Sequence, residues 1–190
     1  MPPCPPEPAT VLSTPLIDSD QPAINALARQ HAAGSTERAQ AVALVGTVPD
    51  GFSPLAMGDG FIGVNGPLYL KHEGALVQLG FRVEPRHTNP MGNCHGGMLA
   101  SFADMVLPMS IQRKAPEIGR KFLPTISLQI DYLAPAPLGA WVQGEAEVLR
   151  STRNLVFAQG LVTADGLPAL RFSGIFKIGK DFKPPGIDGG

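Results

Sequence analysis

The chain has 190 residues, enough for one domain with a substantial core plus additional segments. A formal net charge of -1, with 16% charged residues, gives no basic footprint for nucleic acid, and no Lys/Arg run suggests an anionic membrane surface. The two cysteines, Cys4 and Cys94, can build neither a disulfide framework nor a zinc cluster, which suits a reducing compartment.

Seven of the 20 prolines fall in residues 1–22, so an extended leader is expected there. It has neither the basic start nor the apolar stretch of a signal peptide, and nowhere do about 18 apolar residues run together. A soluble, cytoplasmic protein with no membrane partner is the expectation. Asp20 and Pro22 open a short helix that Gly34 can end; Ser35 caps a second, through Leu44, that Gly46 can stop. Residues 1–55 thus read as a proline-rich leader and a short helical extension, which would dock on the main domain or on a neighbouring subunit.

The main domain is expected over 56–180. Strand patterns cover residues 61–64 and 68–71, then, after a turn at Glu73 and Gly74, residues 76–84. A polar loop, 87–95, leads into a long apolar helix opening at Gly96. Four further strand patterns follow, at 126–133, 141–149, 155–162 and 170–178, separated by Pro, Gly or polar residues. One long helix followed by a strand meander implies an α+β fold with the sheet wrapped on that helix. Residues 181–190 read as a flexible tail, and no repeat or phosphate-binding loop is found.

The chemistry concentrates between His87 and Asp104. The pair Gly96 and Gly97, opening an apolar helix, leaves bare N–H groups at its positive end, where an oxyanion could be held. Eight residues on, Asp104 interrupts Met98, Leu99, Phe102, Met105, Val106 and Leu107, and an isolated charge there is costly to bury without a function or a partner. Pro108 removes the hydrogen bond that the Asp104 carbonyl would accept and tends to kink the helix.

The ordered set Asn89, Gly92, His95-Gly96-Gly97 and Asp104, followed by Pro124-Thr125 and, further on, Tyr132 and Pro135, resembles the hotdog-fold acyl-CoA thioesterases, nearest to their phenylacetyl-CoA branch. The similarity covers residues 60–178. It implies a long helix wrapped by a curved antiparallel sheet, subunits paired as a homodimer or a homotetramer, and acyl-CoA bound at the dimer interface. Helix geometry independently favours a shared site: eight residues at about 1.5 Å each separate Gly96 and Asp104 by roughly 12 Å, too far to serve one thioester carbon from one chain.

On this resemblance the Gly96 N–H is the oxyanion donor, and Asp104 is a nucleophile or a general base on water. Thr125 orients that water, while Asn89 and His95 position the thioester and order the loop. The plain structural alternatives are a glycine pair that lets helix pack on sheet, Asp104 as an ion-paired or cap-like structural carboxylate, and Thr125 as an ordinary β-branched strand residue.

Gly97, Arg150 and Arg153 are candidates for binding substrate, the guanidinium groups suiting the phosphates of coenzyme A; Arg113 and Lys114 are further candidates. Cys94 adjoins His95, but adjacent side chains usually diverge, so it is not read as a nucleophile. His72, His87, Cys94 and His95 have no metal-ligand spacing. No metal and no cofactor beyond substrate coenzyme A are expected. Two other functions remain open: an enoyl-CoA hydratase or dehydratase on the same fold, and a non-catalytic acyl-CoA-binding protein.

Overall fold

The computed structural model describes residues 48–56, 60–74, 76–115 and 117–181. The expected leader, the two short N-terminal helices and the tail beyond Asp181 lie outside the described residues. In chain order the elements are β1 (Ser53–Leu55), α1 (Phe61–Asn65), β2 (Leu68–Glu73), β3 (Leu76–Arg82), a 3₁₀ turn (Pro85–His87), α2 (Gly96–Lys114), β4 (Thr125–Tyr132), β5 (Trp141–Ser151), β6 (Leu155–Ala164) and β7 (Leu167–Lys177).

The seven strands form one antiparallel sheet in the order β1-β2-β3-β5-β6-β7-β4. The chain leaves α2, passes to the far edge of the sheet as β4, and returns through the meander β5-β6-β7. This is the α+β hotdog arrangement. Its helix buries Leu99, Phe102, Ala103, Val106, Leu107 and Ile111 at spacings of three and four, the stripe of an amphipathic helix facing a core. Each large apolar side chain so buried contributes about 1.5–3 kcal/mol.

Two strand glycines bring that stripe close to the sheet. A Cβ at Gly144 would lie 2.9 Å from Val106, and one at Gly174 would lie 2.7 Å from Leu107, so only hydrogen there lets the helix descend. Pro108 stands inside α2, which continues to Lys114.

One expectation is overturned. Residues 61–64 form the helical turn α1, not a strand: Val64 N–H donates to Gly60 O at 3.0 Å, and Asn65 Nδ2 closes the turn on Phe61 O at 2.8 Å. A four-residue apolar run carries no periodicity to separate the two states, and Gly66-Pro67 stops the helix from growing.

Candidate active site

The loop before α2 is a small ladder closed by a side chain. His95 N–H donates to His87 O at 2.7 Å, Thr88 bridges Cys94, and Asn89 N–H donates to Asn93 O at 2.8 Å. At its tip, Asn89 Oδ1 accepts from Met91 N at 2.9 Å and from Asn93 N at 3.2 Å, while Gly92 takes φ +75°. The side-chain oxygen of Asn89 is therefore occupied in ordering the loop, an Asx turn, and its amide NH₂ has no acceptor among the described residues.

His95 is the N-cap of α2, and its Nδ1 accepts from Gly97 N at 2.9 Å. The cap consumes the second amide of the helix and leaves the first: Gly96 N–H has no acceptor among the described residues. Of the four amides that a helix N-terminus leaves without intrahelical partners, this one stays open at the positive end of the dipole. Tyr132 Oη donates to Gly96 O at 2.8 Å, and a Cβ on Gly96 would come within 3.3 Å of that phenol. The glycine pair thus makes room for Tyr132 and for the capping imidazole, a Cβ on Gly97 falling 3.0 Å from His95 Nδ1.

Two turns along the same helix, the half-buried Asp104 accepts from Thr125 Oγ1 at 2.7 Å through Oδ1. No cation lies within ion-pair distance of it among the described residues. The ion-paired alternative for Asp104 is therefore not what the structure holds. Thr125 spends its single proton on the carboxylate, which leaves its oxygen lone pairs to accept from another donor.

An irregularity in β4 makes this contact possible. Leu128, Ile130 and Tyr132 pair with Gly174, Phe172 and Leu170, whose side chains or Cα positions face the helix; simple alternation would send Thr125 to the opposite face. The register instead shifts between Thr125 and Ser127, so that Thr125 pairs with the buried Phe176 and Ile126 becomes the extra residue, 57% exposed. The bulge turns Thr125 toward α2. One strand thereby holds both ends of the site: Thr125 against Asp104, Tyr132 against Gly96. Tyr132 had no role assigned from sequence, because its contact is made 36 residues away.

Cys94 is 5% exposed, and burial pushes its thiol up to about 12. Its Sγ faces the His95 carbonyl at 3.9 Å rather than an imidazole nitrogen, so nothing generates a thiolate.

A family model described as the thioesterase superfamily matches residues 91–168, a span that contains Gly96, Gly97, Asp104, Thr125 and Tyr132. A Pseudomonas aeruginosa protein named as an esterase is 25% identical over 134 residues, 69% of this chain and 97% of the relative. Acyl-coenzyme A thioesterase 13 of Mus musculus is 31% identical over 80 residues, 40% of this chain and 53% of the relative, so the chain spans about half of that protein's length. Among solved structures, zebra fish thioesterase superfamily member 2 superimposes with a TM-score of 0.58 at 27% identity, covering 65% of this chain and 90% of that one. Over residues 91–168 the chain is thus similar to the thioesterase superfamily, and its fold matches a solved member of that name.

The remaining candidates lie apart from the loop. Arg150, near the end of β5, and Arg153, in the turn to β6, are exposed and have no carboxylate or hydrogen-bond partner among the described residues. That turn lies by the C-terminal end of α2, where Ser151 Oγ donates to Glu117 at 3.3 Å. Arg113 is held below its ordinary pKa by burial and by the nearby Arg120, and Lys114 Nζ is bound to Ala146 O at 2.8 Å. Lys114 is thus occupied within the chain. A hollow of about 1020 Å³ lies over Gln129, Glu145, Glu147, Gln159 and Arg171 and includes neither Gly96 nor Asp104. Among the described residues, no helix is long and apolar enough to cross a membrane, and no three His, Cys, Asp or Glu residues group to hold a metal.

Proposed function

We propose that this protein hydrolyses acyl-CoA thioesters to a free acid and CoA. The observation that carries the reading is the Thr125–Asp104 hydrogen bond at a carboxylate that has no cation among the described residues, on the same helix as an amide, Gly96 N–H, that has no acceptor among them. The relatives named as thioesterases and as an esterase support it.

In the general-base form, a water donates to the free Asp104 Oδ2 and to Thr125 Oγ1 and attacks the thioester carbonyl carbon as its proton passes to Asp104. The carbonyl oxygen takes the negative charge and is held by Gly96 N–H and the helix dipole. Collapse breaks the C–S bond, and the departing thiolate takes up the proton from Asp104. In the nucleophilic form, Asp104 Oδ2 itself attacks, the thiolate leaves, and water then cleaves the mixed anhydride. The spent proton of Thr125 favours the first form, since its hydroxyl is left as an acceptor for water. Asn89 and His95 hold the loop, Gly97 supplies the capped amide, and the exposed Arg150 and Arg153 meet the phosphates of coenzyme A.

One chain carries two half-sites, about 12 Å apart along α2. β4 is an edge strand, with exposed Ile126 and Tyr132 and a free row of backbone groups, which is a template for pairing with another strand. Antiparallel pairing of two copies of β4 about Leu128 and Gln129 sets Thr125 of one protomer opposite Tyr132 of the partner subunit. Asp104 would then face the open amide of Gly96 of the partner subunit. A homodimer meets this requirement, and so does a tetramer built as a dimer of dimers.

The test is thiol release across aryl-acetyl, short and medium acyl-CoA substrates, with light scattering for assembly. Turnover that Asp104→Asn abolishes while circular dichroism stays unchanged is the expected result. Retained turnover in that variant, or loss of enoyl absorbance without thiol release, would overturn the reading.

A further inference from the structure

His87 is the one histidine of the loop that the reaction above leaves without a part, and it is 2% exposed. Its ring joins three segments. Nδ1 accepts from Glu84 N–H at 3.0 Å, Nε2 lies 3.0 Å from Asn65 O at the end of α1, and the ring meets Phe81 of β3 edge-on at 5.4 Å. Nε2 lies between Asn65 O at 3.0 Å and the Arg86 Nε–H donor at 3.3 Å; with Nδ1 accepting a backbone N–H, the shorter contact to the carbonyl assigns the neutral tautomer with its hydrogen on Nε2.

Its backbone is held as firmly as its ring. His87 O accepts from His95 N–H at 2.7 Å, the rung that closes the loop ladder against the N-cap of α2. The next residue is Gly96. The position of the open amide is thus set through His95 by where His87 is held.

We propose that His87 is a positioning residue for the oxyanion site, whose neutral ring pins the base of the 87–95 loop and so aims the Gly96 N–H. The proposal rests on the acyl-CoA hydrolase reading. Oxyanion donors act over narrow distances, and a misplacement of about 1 Å can cost on the order of a hundredfold in rate. A second proton on the ring would set an N–H at Nδ1 against the N–H of Glu84, two donors face to face, and release the rung. The charged groups at the ring are Glu84, which favours the imidazolium, and Arg86, which disfavours it and whose Nε–H points at Nε2 from 3.3 Å in competition with Asn65 O. Arg86 also donates to Gly66 O and pairs with Glu84 at 2.8 Å, so both charges are tied to the same corner. From α1 and β3 the ring is met by the carbonyls of Asn65 and Arg82, and burial outweighs both in keeping it neutral.

The experiment pairs His87→Gln, which keeps a donor toward Asn65, with His87→Asn, which keeps an acceptor toward Glu84, in steady-state thiol release from pH 4 to 8. Expected is a fall in kcat of about tenfold or more at neutral pH with KM within about twofold, and loss of the upper of two acid-side limbs in the kcat profile. Nitrogen NMR on the wild-type protein should show Nε2 protonated and Nδ1 bare at pH 8, titrating with the upper limb. A folded His87→Gln variant with wild-type kcat and both limbs intact would overturn the proposal, as would a ring protonated on Nδ1 at pH 8. In either case an active wild-type enzyme leaves the hydrolase reading standing, whereas a wild-type protein that releases no thiol from any acyl-CoA removes both.

Discussion

Thr125 Oγ1 donates to Asp104 Oδ1 at 2.7 Å, across the gap between the edge strand and the central helix. A hydrogen bond to a charged group is worth about 1.5–3 kcal/mol, which is roughly 10- to 150-fold in rate if it is needed at the transition state. Thr125→Ala should therefore lower kcat by one to two orders of magnitude, and Thr125→Ser should recover most of it. Steady-state thiol release decides the matter, and an unchanged kcat in Thr125→Ala would remove the residue from the reaction.

Gly96 and Tyr132 should be coupled. An added methyl at 96 leaves the N–H in place but meets the phenol at 3.3 Å, so Gly96→Ala is expected to reduce kcat by displacing strand from helix. In a Tyr132→Ala background the same substitution should cost clearly less. A double-mutant cycle on kcat measures the coupling, and strict additivity would mean that the methyl acts elsewhere.

Pro108 leaves the Asp104 carbonyl without its intrahelical donor. Pro108→Ala restores that donor and removes ring crowding, so the protein should gain about 1–3 kcal/mol. Differential scanning calorimetry should show a Tm raised by several degrees; a lowered Tm would mean that neighbouring groups have adapted to the ring.

The Cys94 thiol, pushed up to about 12 by burial, should resist alkylation by iodoacetamide at pH 8 in the folded protein and react on unfolding. Cys94→Ala should keep full turnover. Mass spectrometry follows the first outcome and thiol release the second; rapid alkylation with loss of activity would restore Cys94 as a candidate.

Acid stability carries a histidine contribution. Burial holds His87 below its ordinary 6.5, so the unfolded chain binds the proton more readily than the folded one. The stabilisation is present above pH 6.5 and is lost as pH falls below it toward the folded value. Urea midpoints should drop between pH 6.5 and 5 in the wild type and change less in His87→Gln; equal slopes would assign the effect to other groups.

Much of this was legible in the order of residues. The glycine pair ahead of a 3.6-period apolar run marked the helix start, and alternating runs between Pro and Gly marked the meander, because these patterns report local geometry. The separation of Gly96 from Asp104 by two turns of one helix followed from helix rise alone. What stayed hidden depends on distant contacts. Residues 61–64 were too few to show a period. The bulge at Ile126 reverses the face on which alternation places Thr125, and the reach of Tyr132 to Gly96 spans 36 residues. His87 showed as one polar residue among several until its partner, 22 residues upstream, was in view.

Because Thr125 and Tyr132 grip the helix at two separate points, β4 works as a ruler laid beside α2. Adding or removing one residue between them would move one grip by about 3.3 Å and turn its side chain to the wrong face. A chain built this way can vary its chemistry by substitution, or by altering the turn at 152–154, but the length of this one strand is constrained from both ends. Insertions tolerated elsewhere should be absent there, and a library of single-residue deletions would register that strand as a silent zone in an otherwise permissive surface.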